Sequence, residues 1–271
     1  MFYWSNRRLQ HKEKENYGDL LSEYIVEKLS GKQVKWVHPR KLKWYKNKKH
    51  FFAIGSILGQ ATKHSHVWGS GIIEEQQEVA PATFYAVRGP RTYKRLIELG
   101  IDCVEIYGDP AILMPDIYNP EIDKKYKYGW IPHYTDHDVL HKININDSDC
   151  IIDLNTNDVE LTTKKILECK YILSSSLHGL IIAHAYGIPA VWIKLSDHLS
   201  GDGIKFVDYM ESVQIEPYNS LNLDQYKENY SAEVDVDAIF NTLLQEQLLP
   251  SEEVLKNVRL NILNACPFFH E

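Results

Sequence analysis

The sequence predicts an α/β protein of two open halves, each built on a parallel sheet, facing one another across a cleft. Three observations lead there. Strand-like and helix-like segments alternate along most of the 271 residues, the pattern of parallel sheets joined by crossover helices. Suspicious residues gather where apolar runs end: Gly55, Gly69, Arg88, Asp109, His133 and Ser174 to Gly179. Ligands of open parallel sheets sit outside the carboxyl ends of the strands, so that shared placement matters. Finally, Pro115, Pro120 and the charged run Glu121 to Lys127 separate two apolar regions. The boundary is therefore placed between an N-terminal half at 1–120 and a C-terminal half at 121–271.

The elements follow in order. Phe2 to Trp4 is a short apolar start, and a polar loop runs from it to Asn16-Tyr17-Gly18-Asp19. Leu20, Leu21, Tyr24, Ile25, Lys28 and Leu29 have helical spacing, with Gly31 just beyond the end. Asp19 begins that helix, where it would cap N–H groups or, alternatively, contact substrate hydroxyls. Phe51 to Ile54 is a buried strand turning at Gly55-Ser56, and Val67-Trp68 and Thr83 to Val87 are further strands. Pro90 suits the first turn of a helix that Gly100 closes. Cys103 to Ile106 reads as a short strand before Gly108-Asp109-Pro110, where Asp109 reads as a turn former rather than a catalytic acid.

The second half repeats the alternation. Lys127 to Ile131 and Cys150 to Leu154 are strands, Asp158 to Cys169 is an amphipathic helix, and Tyr171 to Leu173 is a strand. Leu180 to Tyr186 is a helix stopped by Gly187, and Pro189 to Ile193 is the next strand. Ala238 to Leu249 and Glu253 to Leu263 form terminal helices.

Composition bounds the class. With 44% hydrophobic and 25% charged residues, this is an ordinary globular chain. No apolar run reaches the roughly 18 residues of a membrane span, and the start shows no export signal. The four cysteines, Cys103, Cys150, Cys169 and Cys266, lack metal-ligand or redox spacing and read as free thiols of a reducing, cytoplasmic compartment. Net charge is −7, yet Lys32 to His50 carries +8 and no acid. That window holds Trp36, Trp44 and Tyr45 as well. It is either a solvated face or a peripheral contact for anionic lipid or a lipid-linked pyrophosphate. No nucleic-acid-binding motif accompanies it.

Ser174-Ser175-Ser176-Leu177-His178-Gly179 is the most informative segment. Hydroxyls and a histidine stand where a strand turns into a helix, and free N–H groups with the helix dipole suit an anion there. Capping serines and a packed histidine are the plain alternative. His184, six positions beyond His178, falls on another helix face and reads as structural.

Extended to Pro189, this segment resembles the signature of the polysaccharide pyruvyltransferase family. Other segments follow in the family's order: Asn16 to Asp19, Gly55 to Leu58, Trp68 to Gly71, Arg88 to Thr92, Gly108 to Ala111, Ile131 to Tyr134 and Lys205 to Asp208. The resemblance implies a GT-B-like fold of two Rossmann-like halves and phosphoenolpyruvate as donor. It implies that Arg88 and His178 hold that donor. The donor group is completed here with Ser176, Leu177, Gly179, His133 and Lys205, and Asp19, Ser56 and Ser70 are placed on the acceptor side. Some members carry Arg directly before the Leu-His pair, where this chain has Ser176; Arg91 or Lys205 is the candidate for the missing charge. The expected reaction joins pyruvate as a ketal to two hydroxyls of a sugar or lipid-linked oligosaccharide. His178 acts as general acid in it, and no cofactor or metal is called for. A glycosyltransferase using a nucleotide sugar and a non-catalytic saccharide binder are the competing readings.

Overall fold

The computed structural model describes residues 1–41, 49–133, 136, 146, 148–196, 201–223, 235–243 and 245–268. The polar stretch expected as loop opens instead with a helical turn, α1 (Asn6–Gln10), capped by Ser5, whose Oγ accepts from Arg8 N. Strand β1 (Glu15–Asn16) follows, and then α2 (Tyr17–Ser30). Asn16, rather than Asp19, caps α2: its side chain accepts from the Gly18 and Asp19 N–H groups. The helix stops where Gly31 turns left-handed at φ 67°, a conformation glycine adopts without steric cost.

Strands β2 (His50–Phe52), β3 (Ser65–Trp68) and β4 (Thr83–Ala86) form a parallel sheet in that order. A second parallel sheet of five strands runs β10-β9-β8-β5-β6. Its members are β5 (Tyr126–Ile131), β6 (Cys150–Ile151), β8 (Cys169–Ser174), β9 (Ala190–Lys194) and β10 (Leu221–Asn222). Between β6 and β8, β7 (Asn155–Thr156) pairs antiparallel with β1. The expected α/β class with parallel sheets is thus present.

Helix α3 (Pro90–Glu98) begins on its proline as expected, and α4 (Val159–Leu167) is capped by Asp158. Helix α5 (Leu177–Ala185) follows the serine turn. Its residues Leu180, Ile181, Ile182 and Ala183 are all fully buried. A helix apolar on every side must be enclosed, and each fully buried Leu or Ile adds about 1.5–3 kcal/mol relative to exposure. That enclosure holds the N-terminus of α5 rigidly. Helix α6 (Ile204–Ser212) buries Phe206, Tyr209 and Met210. The chain closes with α7 (Val236–Asn241), a turn at Gln245–Leu248 and α8 (Glu252–Asn264). Trp68 Nε1 donates to the Ile262 carbonyl at 2.8 Å, which ties α8 to β3.

Three expectations are corrected. Cys103 to Ile106 is not a strand; only a parallel bridge between Val87 and Tyr107 forms there. Strand β6 ends at Ile151, because the Leu154 carbonyl turns to accept from Tyr17 N at the start of α2. The helix expected over Ala238 to Leu249 is split, since Thr242 caps α7. The four cysteines are free thiols, Cys169 and Cys266 buried and the other two half-buried. Much of the basic window, residues 42–48, lies outside the described residues, as does Tyr134. Among the described residues no helix is long and apolar enough to cross a membrane.

Close approach of α3 and α6 positions the site. Gly89 caps α3, and a Cβ there would lie 1.9 Å from the Asp208 carbonyl oxygen. The glycine is required by that approach, since its φ of −167° is open to any residue. Gly89→Ala must push α6 away, and overpacking of this kind costs about 1–3 kcal/mol. Chemical denaturation should show a midpoint lowered accordingly; an unchanged midpoint would mean that the two helices do not meet as described.

Candidate active site

A cavity of about 380 Å³ opens at the carboxyl ends of both sheets. Gly55 and Ser56 reach it from the exit of β2, His133 from the exit of β5, and Ser176, Leu177 and His178 from the exit of β8 and the start of α5. Asn16 and Asp19 come from the start of α2, and Lys205 from α6. His178, Ser176, Leu177, His133, Lys205, Asp19 and Ser56 are therefore brought together. Arg88, Ser70 and Gly179 are placed behind the lining.

The serine turn is wired internally. Ser174 Oγ accepts from Ser176 N at 3.0 Å and donates to the Ser176 and Ile131 carbonyls. Ser175 Oγ accepts from His133 N and donates to Asp136, each at 2.8 Å. Asp136 is fully buried and also accepts from Ser196. Ser176 is the N-cap residue of α5, yet its side chain makes no capping bond. The opening N–H groups of a helix have no intrahelical partner, and Leu177 and His178 at this end line the cavity. Gly179 keeps the turn tight: a Cβ on it would sit 2.3 Å from Ser174 Oγ.

His178 lies flat against the backbone of α2, where a Cβ on Gly18 would come within 2.0 Å of its Nδ1. Its Nε2 faces Asp109 Oδ2 at 3.7 Å. Both atoms are buried without a hydrogen-bond partner, and the separation exceeds a hydrogen bond. Asp109 does form the turn expected of it, with Oδ1 accepting from Ala111 N. Its second oxygen faces the His178 ring, a placement that spacing alone does not reveal.

Arg88 departs most from expectation. It is fully buried, and its guanidinium donates to Asp208 at 2.9 Å, to the Ile72 carbonyl at 2.6 Å and to Ser56 Oγ at 2.6 Å. Only the last contact touches the cavity lining. Ser70 is likewise buried, donating to the Ala53 carbonyl. Arg91 is committed to a two-pronged pair with Glu211 outside the cavity. Lys205 alone of the two candidates reaches the lining. His184 is buried and bonded to Tyr209, as a structural residue should be.

Burial dominates the electrostatics. It lowers the Lys205 ammonium to about 8, with Arg88 adding to the fall and Asp19 opposing it. It lowers His133 to about 4, with Lys205 adding and Asp136 opposing. It raises the Asp19 carboxyl to about 7, against the pull of His178, with Glu15 adding and Lys205 opposing. Among the described residues no three His, Cys, Asp or Glu side chains gather as a metal cluster would require.

The strand-end cavity thus sets Lys205 beside Leu177 and His178 at the start of α5. Residues 16–197 match the family model for polysaccharide pyruvyl transferase, and the chain belongs to that family. Protein L143 of Acanthamoeba polyphaga mimivirus is 30% identical over 266 residues, covering 91% of each chain. The succinoglycan biosynthesis protein ExoV of Rhizobium meliloti (strain 1021) is 25% identical over 182 residues, covering 60% of this chain and 53% of that relative. No solved structure matches at a significant level. The family supports pyruvyl transfer in polysaccharide synthesis, with a sugar or polysaccharide as acceptor.

Two predictions test the geometry. Arg88→Ala leaves Asp208 as a buried, unpaired charge, which costs about 3–5 kcal/mol; urea denaturation should show that loss, and a variant of wild-type stability would put Arg88 elsewhere. Asp19 binds a proton in the folded state between its ordinary 3.8 and about 7 that the unfolded chain has released. Its contribution to stability therefore falls as pH rises through that window. Asp19→Asn should gain stability relative to wild type from pH 4.5 to 7.5, and a pH-independent difference would rule the raised carboxyl out.

Proposed function

We propose that the cavity binds phosphoenolpyruvate and transfers its three-carbon unit to two hydroxyls of a sugar as a cyclic ketal. What carries this reading is the placement of His178, backed by Asp109 Oδ2 at 3.7 Å, in the same cavity as Lys205 and the start of α5. The donor bears a charge of about −3 at neutral pH. Lys205, a protonated His178 and a helix N-terminus worth about +0.5 lie where they oppose it. Arg88 acts as a positioning residue, holding Ser56 at the cavity edge.

His178 gives a proton to the methylene carbon of the donor, and positive charge develops at the neighbouring carbon. One acceptor hydroxyl attacks that carbon, and its proton restores His178. The second hydroxyl forms the other C–O bond as the C–O bond to phosphate breaks. Phosphate leaves with the electron pair, and the second hydroxyl's proton goes with it. Asp19 and Ser56 hold the acceptor hydroxyls. This sequence calls for no metal or cofactor. The two parallel sheets, each ending at the cavity, support a GT-B-like division into halves near residue 120. A lipid-linked acceptor would bring the Lys32–His50 window to the cytoplasmic membrane face.

Calorimetry with phosphoenolpyruvate, and separately with a nucleotide sugar, tests the donor; binding of the nucleotide sugar alone would overturn the reading. General acid catalysis contributes about 10²–10⁴ in rate. His178→Ala should lower phosphate release from phosphoenolpyruvate and a glycoside by that factor with an unchanged melting curve. A near-normal rate would remove His178 from the chemistry.

A further inference from the structure

The two ring nitrogens of His178 stand in different surroundings. The side chain lines the cavity and is 13% exposed. Nε2 is buried without a hydrogen-bond partner, so it is closed to any substrate, and proton exchange with the cavity is left to Nδ1. Gly18 keeps that nitrogen uncovered, since a Cβ there would come within 2.0 Å of it. Asp109 Oδ2 faces Nε2 at 3.7 Å and is itself buried and unpartnered. Asp19 acts on His178 from within the cavity lining, whereas Asp109 is sealed from it.

Packing holds both partners. Asp109 Oδ1 accepts from Ala111 N at 3.0 Å, which fixes the plane of the carboxyl. A Cβ on Gly69 would stand 2.2 Å from Pro110 Cδ, and one on Gly108 would meet Ile262 of α8 at 2.6 Å. His178 rides on the enclosed helix α5. Two buried polar atoms, one able to donate and one to accept, thus face each other with no other partner. Such atoms are nearly always paired. Closing the gap takes about half an ångström, and catalytic hydrogen bonds tighten in this way when substrate enters.

We propose that Asp109 is the positioning residue of His178: its Oδ2 accepts from Nε2–H, which makes Nδ1 the nitrogen that passes the proton. The imidazolium gives its Nδ1 proton to the donor's methylene carbon. The electron pair of the donor's double bond forms the new C–H bond, and the N–H pair stays on Nδ1. The first acceptor hydroxyl bonds the neighbouring carbon and returns its proton to Nδ1. Nε2 keeps its own proton throughout. The inference rests on the pyruvyl-transfer reading and adds which nitrogen acts and what holds it.

Nitrogen-15 NMR of the full chain with labelled histidine tests this, the His178 signals being identified by their loss in His178→Ala. The neutral ring should carry its proton on Nε2. Asp109→Asn keeps an oxygen for Ala111 N, so its NH2 group takes the place of Oδ2 and donates to Nε2. The ring proton should then move to Nδ1, the wrong tautomer that an amide imposes beside a catalytic histidine. Phosphate release from phosphoenolpyruvate and a glycoside should show kcat lowered about a hundredfold or more, with KM for the donor and the melting curve unchanged. Asp109→Ser, which also retains a capping oxygen, should give a mixture of tautomers and an intermediate kcat. A wild-type ring protonated on Nδ1, a tautomer unmoved in Asp109→Asn, or an unmoved kcat would overturn the assignment. Should Asp109→Asn fail to fold, the wild-type spectrum and Asp109→Ser decide it. A wild type that neither binds phosphoenolpyruvate nor releases phosphate removes the donor reading, and the tautomers then decide alone whether Asp109 holds the ring.

Discussion

The buried pair of Arg88 and Asp208 fixes where the walls of the cavity stand. Both side chains are fully excluded from solvent. Two charges taken out of water are costly unless every donor and acceptor around them is met. They are met here. Asp208 also accepts from Thr92 N at 2.9 Å and Thr92 Oγ1 at 2.7 Å, while Arg88 reaches Ile72 and Ser56. The guanidinium lies on bare backbone, since a Cβ on Gly71 would stand 2.4 Å from its Cζ. Four separate segments are thereby pinned around one guanidinium. Lys205 stands three residues before Asp208 on α6, on the same helix face, so the pair that anchors the helix also sets Lys205 against the cavity.

The serine turn works by the same logic on the other sheet. Ser174 and Ser175 direct their hydroxyls inward, to backbone and to Asp136. The plain reading has these serines cap the helix; instead they bond the backbone of the turn and Asp136, and no serine side chain caps α5. With those hydroxyls committed behind the turn, Leu177 and His178 at the start of α5 line the cavity. Gly18 and Gly179 complete the arrangement by letting an imidazole and a hydroxyl approach backbone that any side chain would block.

The alternation of elements, the strand-end rule and the Leu177-His178 motif were legible in the sequence because each is a local pattern. The placement of Lys205 was legible only through the family resemblance. What escaped was non-local. Arg88 is a cation at a strand exit, as an anion site would want, but its partner stands 120 positions away and no spacing announces it. Asp109 was legible as a turn former because that role involves Ala111, two residues on; its face toward His178 depends on packing. Asn6 and Gln10 sit in a polar stretch read as loop, next to Trp4 at the end of the short apolar start, and the buried carboxylate of Glu15 holds that stretch against the cavity. Cys103 to Ile106 had the composition of a strand but found a single bridge, because an edge position gives a short apolar run little to pair with.

Burial draws Lys205 and Asp19 each toward its neutral form, and this bears on how the cavity would receive the multiply charged donor proposed above. Lys205 is drawn down to about 8 by burial and by Arg88, and Asp19 is drawn up to about 7 by burial. An incoming anion shifts both in one direction, because negative charge favours protonated ammonium and protonated carboxyl alike. Lys205 then holds its charge more firmly, and Asp19 loses the charge that would repel the ligand. Proton uptake and anion binding thus reinforce one another. The carboxyl of Asp19, which looks out of place beside the anionic donor proposed for this cavity, would be compatible with it because burial has already brought the carboxyl to the edge of neutrality.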